Sequence, residues 1–341
     1  NINGILECIK NQDYDHNNME VVLVDGASTD NTRALMCEFA LDNKDEFRRV
    51  VVLDNPKKTL PSGWNVALRE YKGDAIIKVD AHAVIPEDFV SKNVRVLETG
   101  EYICGGQRPN IIDKPTPFKE TLLLAESSMF GSSIASYRNN PGKTYVKSLF
   151  HAAYRREVFE KVGFFNEELV RTEDNEIHYR MRKAGYKLCF DPDIISYQYT
   201  RSSLKAMLKQ KYANGYWIGK TSKVCPKCLS IYHFVPFAFV SAIIASGSVI
   251  GATGLAECIK KRHNHTLGKG ISALRKVTVV LTTVMWVLYA LMASGMAAVS
   301  AFKAEDKRNI TNACLPVLFL LLHLSYGIGT IAGLMDKSKR G

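Results

Sequence analysis

The sequence predicts an α/β domain followed by a helical membrane region, and three observations predict it. Short β-branched runs alternate with helical signals over the first 200 residues, as in an α/β sheet. Three apolar stretches without Asp, Glu, Lys or Arg follow: Ile231 to Leu255, Val277 to Phe302 and Ala313 to Met335. Each reaches the ~20 residues needed to cross a bilayer core. Charge divides at the same place: residues 1–200 carry 26 Lys/Arg against 30 Asp/Glu, and residues 201–341 carry 19 against 4.

The elements of the first domain follow in order. Glu20 to Val24 reads as a buried strand, and Asp30 to Asn43 as a helix capped by Asp30. Arg49 to Leu53 is the next strand, and Ser62 to Tyr71 a short helix ended by Gly73. Ala75 to Val79 is a third strand, running into a loop with Asp80 and His82. Pro86 to Glu98 reads as a helix with proline in its first turn. Residues 101–106 read as a weaker strand turning at Gly105-Gly106. Glu176 to Ala184, preceded by Thr172-Glu173-Asp174-Asn175, is a helix acidic at its start and basic at its end. Cys189 to Pro192 and Ile194 to Tyr197 are closing strand pieces.

Residues 201–230 form a basic juxtamembrane segment. Arg201 to Lys227 holds seven Lys/Arg and no acid, with Leu204, Leu208, Tyr212, Tyr216 and Trp217 at helical spacing. That pattern suits a helix lying on a membrane, apolar side down and lysines at the headgroups. The partner is then anionic lipid and not nucleic acid, because the charge flanks apolar segments. Residues 231–335 are read as three transmembrane or re-entrant helices, and 336–341 as a basic tail. Six Lys/Arg between residues 256 and 276 oppose simple threading from a cytosolic domain, so the first stretch also reads as a re-entrant hairpin around Ser246-Gly247-Ser248.

The eight cysteines form no framework. Cys225-Pro-Lys-Cys228 has metal-ribbon spacing, but no second pair or His pair follows, which favours reduced thiols. The chain opens on the helix-like Asn1 to Leu6, without a methionine or a signal-peptide pattern, so a piece of a longer protein is expected.

Three features carry chemistry. Asp25 ends a strand before Gly26, where it can take hydrogen bonds from a nucleoside or simply form a turn. Asp80 and His82 are two apart at a second strand end; if the strand's period of two persists, both reach one divalent ion. Glu173 and Asp174 open a helix, where a carboxylate either caps or takes a proton from a hydroxyl.

Taken together, "VVLVDGASTDNT", "AIIKVDAHAVIPEDF", "HAAYRREVFEKVGFFNEEL" and "TEDNEIHYRMRKAGYKLCFDP" resemble family-two glycosyltransferases of the GT-A fold, a Rossmann-like nucleotide-diphospho-sugar transferase architecture. The resemblance covers essentially residues 1–220, with four motifs in the expected order. With the membrane tail, the chain looks most like the succinoglycan-type exopolysaccharide transferases of that family.

The resemblance implies roles for single residues. Asp25 matches the aspartate that contacts the nucleotide. Asp80 and His82 match the metal-binding DxD position, in a DxH form that polypeptide N-acetylgalactosaminyltransferases also use. Asp174 matches the catalytic base, with Glu173, His151, Arg155 and Arg156 on the acceptor side. The implied cofactor is Mn²⁺ or Mg²⁺, the donor a UDP-linked or other nucleotide sugar, and the acceptor a lipid-linked or glycan hydroxyl at the cytosolic face. The QxxRW motif of processive members has no counterpart in Gln210 to Trp217, where no arginine precedes the tryptophan, so single-sugar transfer is implied. The family's first strand also has no counterpart, which leaves its two neighbours with unpaired edges and implies poor nucleotide binding by the chain as given. Two alternatives stand beside this: a membrane scaffold with a degenerate transferase domain, and a metallophosphoesterase, whose later His-rich segments have no match here.

Overall fold

A computed structural model describes residues 2–131, 142–262, 268–304 and 308–337. The first domain contains α1 (Ile2–Lys10), β1 (Glu20–Asp25), α2 (Thr32–Asp42), β2 (Arg49–Asp54), α3 (Leu60–Glu70), β3 (Ala75–Ile77), β4 (Ala83–Val84) and α4 (Phe89–Glu98). Then come β5 (Ile103–Gln107), β6 (Asn110–Ile111), α5 (Pro117–Ser127), β7 (Thr144–Val146), β8 (Ala152–Arg155), α6 (Arg156–Val162), α7 (Glu173–Lys183), β9 (Leu188–Ile195) and β10 (Tyr197–Tyr199).

Strands β1 and β2 pair in parallel, from Glu20 opposite Arg49 to Asp25 opposite Asp54. A five-stranded sheet runs β3-β8-β5-β9-β7, with β5 and β9 parallel and its other pairs antiparallel. A small β4-β10-β6 sheet completes the strands. Among the described residues β1 and β3 each keep one unpaired edge. Both sets of strands still share a core. Ile2, Ile5 and Leu6 of α1, an i, i+3, i+4 set, meet Val21 and Leu23 of β1, Met36 and Phe39 of α2 and Phe89 of α4. A second core under α6 and α7 gathers Leu68, Ile103, Tyr154, Phe159, Ile177, Met181 and Phe190.

Several sequence expectations need adjustment. Asp30 lies just before the helix start, where its carboxylate accepts the Thr32 N–H at 3.0 Å, and Asn31 takes the cap position. Pro86 precedes α4, accepting the Phe89 N–H on its carbonyl, so the helix begins three residues later than expected. Gly105-Gly106 is no turn: both lie inside β5. A Cβ on Gly106 would sit 2.0 Å from the Ile194 carbonyl oxygen and 2.3 Å from that of Asp191, so glycine is there for close strand approach. The two closing strand pieces are one strand, β9, followed by β10.

Four helices follow: α8 (Leu204–Val224), α9 (Val235–Arg262), α10 (Lys269–Lys303) and α11 (Leu315–Met335). Three helical segments, Ile231–Arg262, Lys269–Lys303 and Ile310–Met335, are long and apolar enough to cross a membrane. The re-entrant reading of the first is not met: α9 is a continuous helix of 28 residues, about 42 Å long, with no break at Ser246-Gly247-Ser248. Nor does α8 reserve its apolar side for lipid. It runs alongside α11 in the same direction, and Gly215 and Gly219 of α8 meet backbone around Tyr326 and Thr330, while Gly329 and Gly333 of α11 meet the carbonyls of Tyr212 and Tyr216. Small residues let the two backbones touch, as in membrane helix pairs. At the end of the pair, Tyr216 and Lys220 bind the Asp336 carboxylate, and Lys223 donates to the Asp336 carbonyl.

Candidate active site

The segment from Ala75 to Asp80 carries the site. Beyond β3 the ladder continues one residue, the Lys78 N–H bonding the Ala152 carbonyl at 2.9 Å. Ala75, Ile77 and Val79 pack on the first core and Ile76 on the second. The period of two therefore turns Lys78 and Asp80 to the same side. There Lys78, nearly fully buried, forms an ion pair with Asp174. Its ammonium lies 5.2 Å from the centroid of Trp64 and 5.6 Å from that of Phe165. Burial alone would lower the Lys78 pKa; the carboxylates of Asp174 and Glu173 outweigh it and raise it, so the ammonium persists.

Asp174 reaches this lysine because α7 is fixed at its start. Asn65 of α3 holds Phe165 through both backbone groups at 2.9 Å, and Lys57 meets Glu167 at 2.7 Å. The Thr172 hydroxyl bonds that of Thr221 on α8, and Arg171 donates to Asn214 at 3.1 Å. Asp174 and Glu173 occupy the first turn of α7, where the helix dipole favours negative charge. Burial nevertheless raises the pKa of both carboxyls, against the pull of Lys78. Glu173, burdened also by the charge of Asp174, is pushed up to about 8. Its Oε2 is buried without a hydrogen-bond partner.

Asp80 sits across this cluster. Burial raises its pKa, but His151, Lys78 and His82 outweigh that, and the carboxyl is held well below the usual range. His151 is buried: Nε2 lies 3.8 Å from Asp80 Oδ2 and Nδ1 lies 2.9 Å from Ser196 Oγ. Burial lowers the His151 pKa despite the carboxylate, which leaves the imidazole neutral. His151 thus braces the Asp80 backbone from within the protein, its Nε2 accepting the Asp80 N–H at 3.4 Å.

The strand geometry expected to bring His82 beside Asp80 is not met. The Ala83 N–H bonds the Asp80 carbonyl at 3.0 Å, so the strand period ends at Asp80 and a tight turn carries His82. The exposed imidazole meets Gln198 of β10 at 2.9 Å. Asp80 by itself fits a divalent cation, because its carboxyl is held ionised and its Oδ1 is buried without a hydrogen-bond partner. Among the described residues no group of three or more His, Cys, Asp or Glu could hold a metal. Two protein ligands, with the rest from phosphate oxygens and water, is the pattern for Mg²⁺ and related ions at nucleotide sites.

Asp25, at the end of β1, is buried with its carboxylate turned into its own loop, accepting the Ser28 N–H at 3.2 and 3.3 Å. The turn-forming alternative is thus realised in this structure. Arg155 and Arg156 are both engaged by backbone carbonyls. Arg155 donates to the carbonyls of Glu101 and Leu97, and Arg156 to those of Tyr71 and Gly73. Because β8 is antiparallel to β3 and β5, His151 lies at its site end and Arg155 opposite Ala75 at the other. Four strand residues span about 13 Å, so the two arginines stand at the far end of the strand from Asp80. Lys78, the partner of Asp174, is not among the residues that the sequence singles out. A lysine two before Asp80 in an otherwise apolar strand was the available signal.

Residues 1–163 match the model of Glycosyl transferase family 2. Over those residues the chain is similar to family 2 glycosyltransferases. The succinoglycan biosynthesis protein ExoA of Rhizobium meliloti is 30% identical over 203 residues, 58% of this chain and 59% of that protein. The chain thus spans about three fifths of that relative's length. A dolichyl N-acetyl-alpha-D-glucosaminyl phosphate 3-beta-D-2,3-diacetamido-2,3-dideoxy-beta-D-glucuronosyltransferase of Methanococcus voltae is 26% identical, covering 71% of this chain and 76% of its own. Among solved structures, the mannosyltransferase PcManGT of Pyrobaculum calidifontis, in complex with GDP-Man and Mn2+, covers 99% of this chain and 84% of its own, with a TM-score of 0.56 at 17% identity. That likeness shows the GT-A fold of the transferase domain with its apolar C-terminal helices.

Proposed function

We propose that the chain transfers a single sugar, with inversion, from a nucleotide sugar to a hydroxyl of a lipid-linked or polysaccharide acceptor at the cytosolic face of a membrane. One observation carries this reading: Asp174, far along the sequence, meets Lys78, which stands two residues from Asp80 on the same side of the strand. The proposed proton acceptor and the candidate cation ligand are thereby linked through one buried lysine. Asp80 and His82 would hold the divalent ion, whose chemistry is to offset negative charge on the leaving diphosphate. Asp25 is assigned to the nucleoside and Asp174 to the acceptor, whose hydroxyl proton it takes as that oxygen attacks the anomeric carbon. UDP is the assigned nucleotide, and PcManGT, bound to GDP-Man, makes GDP the first comparison. The names of ExoA and of the Methanococcus voltae transferase support an envelope glycan or a polyprenyl-linked acceptor.

The test is transfer by the full-length protein in lipid, screened with UDP-, GDP- and dTDP-sugars. Asp174→Asn should cut turnover by about 10²–10⁴-fold, leaving a measurable remainder, while donor binding by calorimetry stays within about threefold of wild type. Undiminished turnover in that variant would remove Asp174 from the role.

A further inference from the structure

The resemblance gives Lys78 no role, yet the lysine is among the most buried charges in the protein and contacts the proposed base directly. It is also tightly placed. Its backbone is fixed by the Ala152 carbonyl, and Trp64 and Phe165 pack near its ammonium. Phe165 is in turn locked by Asn65, so the cage around the ammonium is rigid on two sides. The lysine meets Oδ1 of Asp174. A carboxylate has two oxygens, and an ammonium engaging one of them fixes the plane in which the other is presented.

We infer that Lys78 is a positioning residue for transfer, holding Oδ1 of Asp174 so that the second carboxylate oxygen faces the acceptor hydroxyl. The inference rests on the reading of Asp174 as base. Two features distinguish it from a lysine that merely neutralises donor phosphate. Its ammonium is committed to Asp174, and the aromatic cage leaves the side chain little freedom to swing toward a ligand beside Asp80. A near-attack arrangement depends on such placement, because a misplacement of about 1 Å can cost 10²-fold in rate. Lys78 and Asp80 share one strand side, so a single segment would set both the base and the cation ligand.

The experiment is a double-substitution cycle on the full-length protein in lipid, with kcat, donor KM and donor binding measured for each variant. Lys78→Met should lower kcat about 100-fold with donor KM and calorimetric affinity within about threefold, and Lys78→Arg should recover at least tenfold of that loss. Added to Asp174→Asn, Lys78→Met should lower the residual rate by no more than about threefold, because it acts through a group already disabled. Should Lys78→Met not be recovered folded, Lys78→Gln, which keeps a hydrogen-bond donor without the charge, takes its place in the cycle. A rise of tenfold or more in donor KM at unchanged kcat, or full multiplicative loss in the double variant, would overturn the inference. Full turnover by Asp174→Asn alone strikes instead at the assignment of the base.

Discussion

The imidazole of His151 approaches the Asp80 carboxylate at 3.8 Å from one nitrogen and holds Ser196 at 2.9 Å with the other. Buried and neutral, it also accepts the Asp80 backbone N–H on Nε2 at 3.4 Å, and so braces the backbone of a residue whose carboxylate Oδ1 has no partner. Outer partners of metal-binding carboxylates typically matter by 10–100-fold in affinity. His151→Leu is therefore expected to raise the Mn²⁺ concentration for half-maximal transfer by about that factor, with the fold retained by circular dichroism. An unchanged metal dependence would show that Asp80 is held by other means.

Glu173 gives a pH signature of stability. Burial and the neighbouring Asp174 charge push its carboxyl up to about 8, from an ordinary value of 4.5. The sign follows from linkage: a raised carboxyl favours the fold while protonated, fully below pH 4.5, and loses that contribution as pH rises toward about 8. Wild type should lose stability relative to Glu173→Gln across this window. Melting curves from pH 5 to 9 should diverge by a few degrees, given about 2–4 °C per kcal/mol in a domain of this size. Parallel curves would mean that Glu173 is ionised throughout.

Much of the fold was legible because buried strands and helix ends have local signals. Val21 to Val24, Arg49 to Leu53 and the acidic start of α7 lie where the periodicity put them. What failed had non-local causes. Gly105-Gly106 looks like a turn in isolation, and only contact with the Asp191 and Ile194 carbonyls reveals a crowded strand. The side of α8 that suits a membrane surface equally suits α11, and periodicity cannot tell lipid from a glycine-lined helix. In the candidate site, Asp80 and Asp174 are proposed from motifs. Lys78 went unseen because its partner is 96 residues away. The assignment of Arg155 and Arg156 needed strand direction, which sequence proximity to His151 conceals.

His178 sits inside the second core, its Nε2 2.8 Å from the Tyr154 hydroxyl and its Nδ1 3.1 Å from Ser148 Oγ. Burial lowers its pKa from 6.5 to about 3. A depressed histidine stabilises the fold above its unfolded pKa, and that contribution is lost as pH falls from 6.5 toward about 3. His178→Gln should be less stable than wild type at pH 7, by about 1–3 kcal/mol for the disturbed buried hydrogen bonds, yet show a shallower acid limb. Chemical denaturation at pH 7 and pH 5 checks both parts. An equal slope for the two proteins would contradict the histidine's role in acid sensitivity.

The α8–α11 contact connects the apolar helices to the proposed base. Gly329 of α11 lies where a Cβ would stand 2.1 Å from the Tyr212 carbonyl oxygen of α8, and Gly333 where it would stand 2.0 Å from that of Tyr216. Further along the same helix, Thr221 holds Thr172, immediately before Glu173 and Asp174. Gly329→Val must push the helices apart, at a cost of about 1–3 kcal/mol or more for overpacking. Because α8 carries Thr221, the displacement should reach α7 and reduce transfer by about tenfold or more, although residue 329 touches no substrate. Gly247 of α9 supplies the control: nothing lies within 4 Å of its added Cβ, so Gly247→Val should leave both melting temperature and turnover near wild type. Turnover in lipid and thermal unfolding in detergent, measured for the two variants side by side, separate the cases. If Gly329→Val loses stability but keeps full turnover, the start of α7 is held by the first domain alone, through Asn65 and Lys57, and α8 contributes nothing to the placement of Asp174.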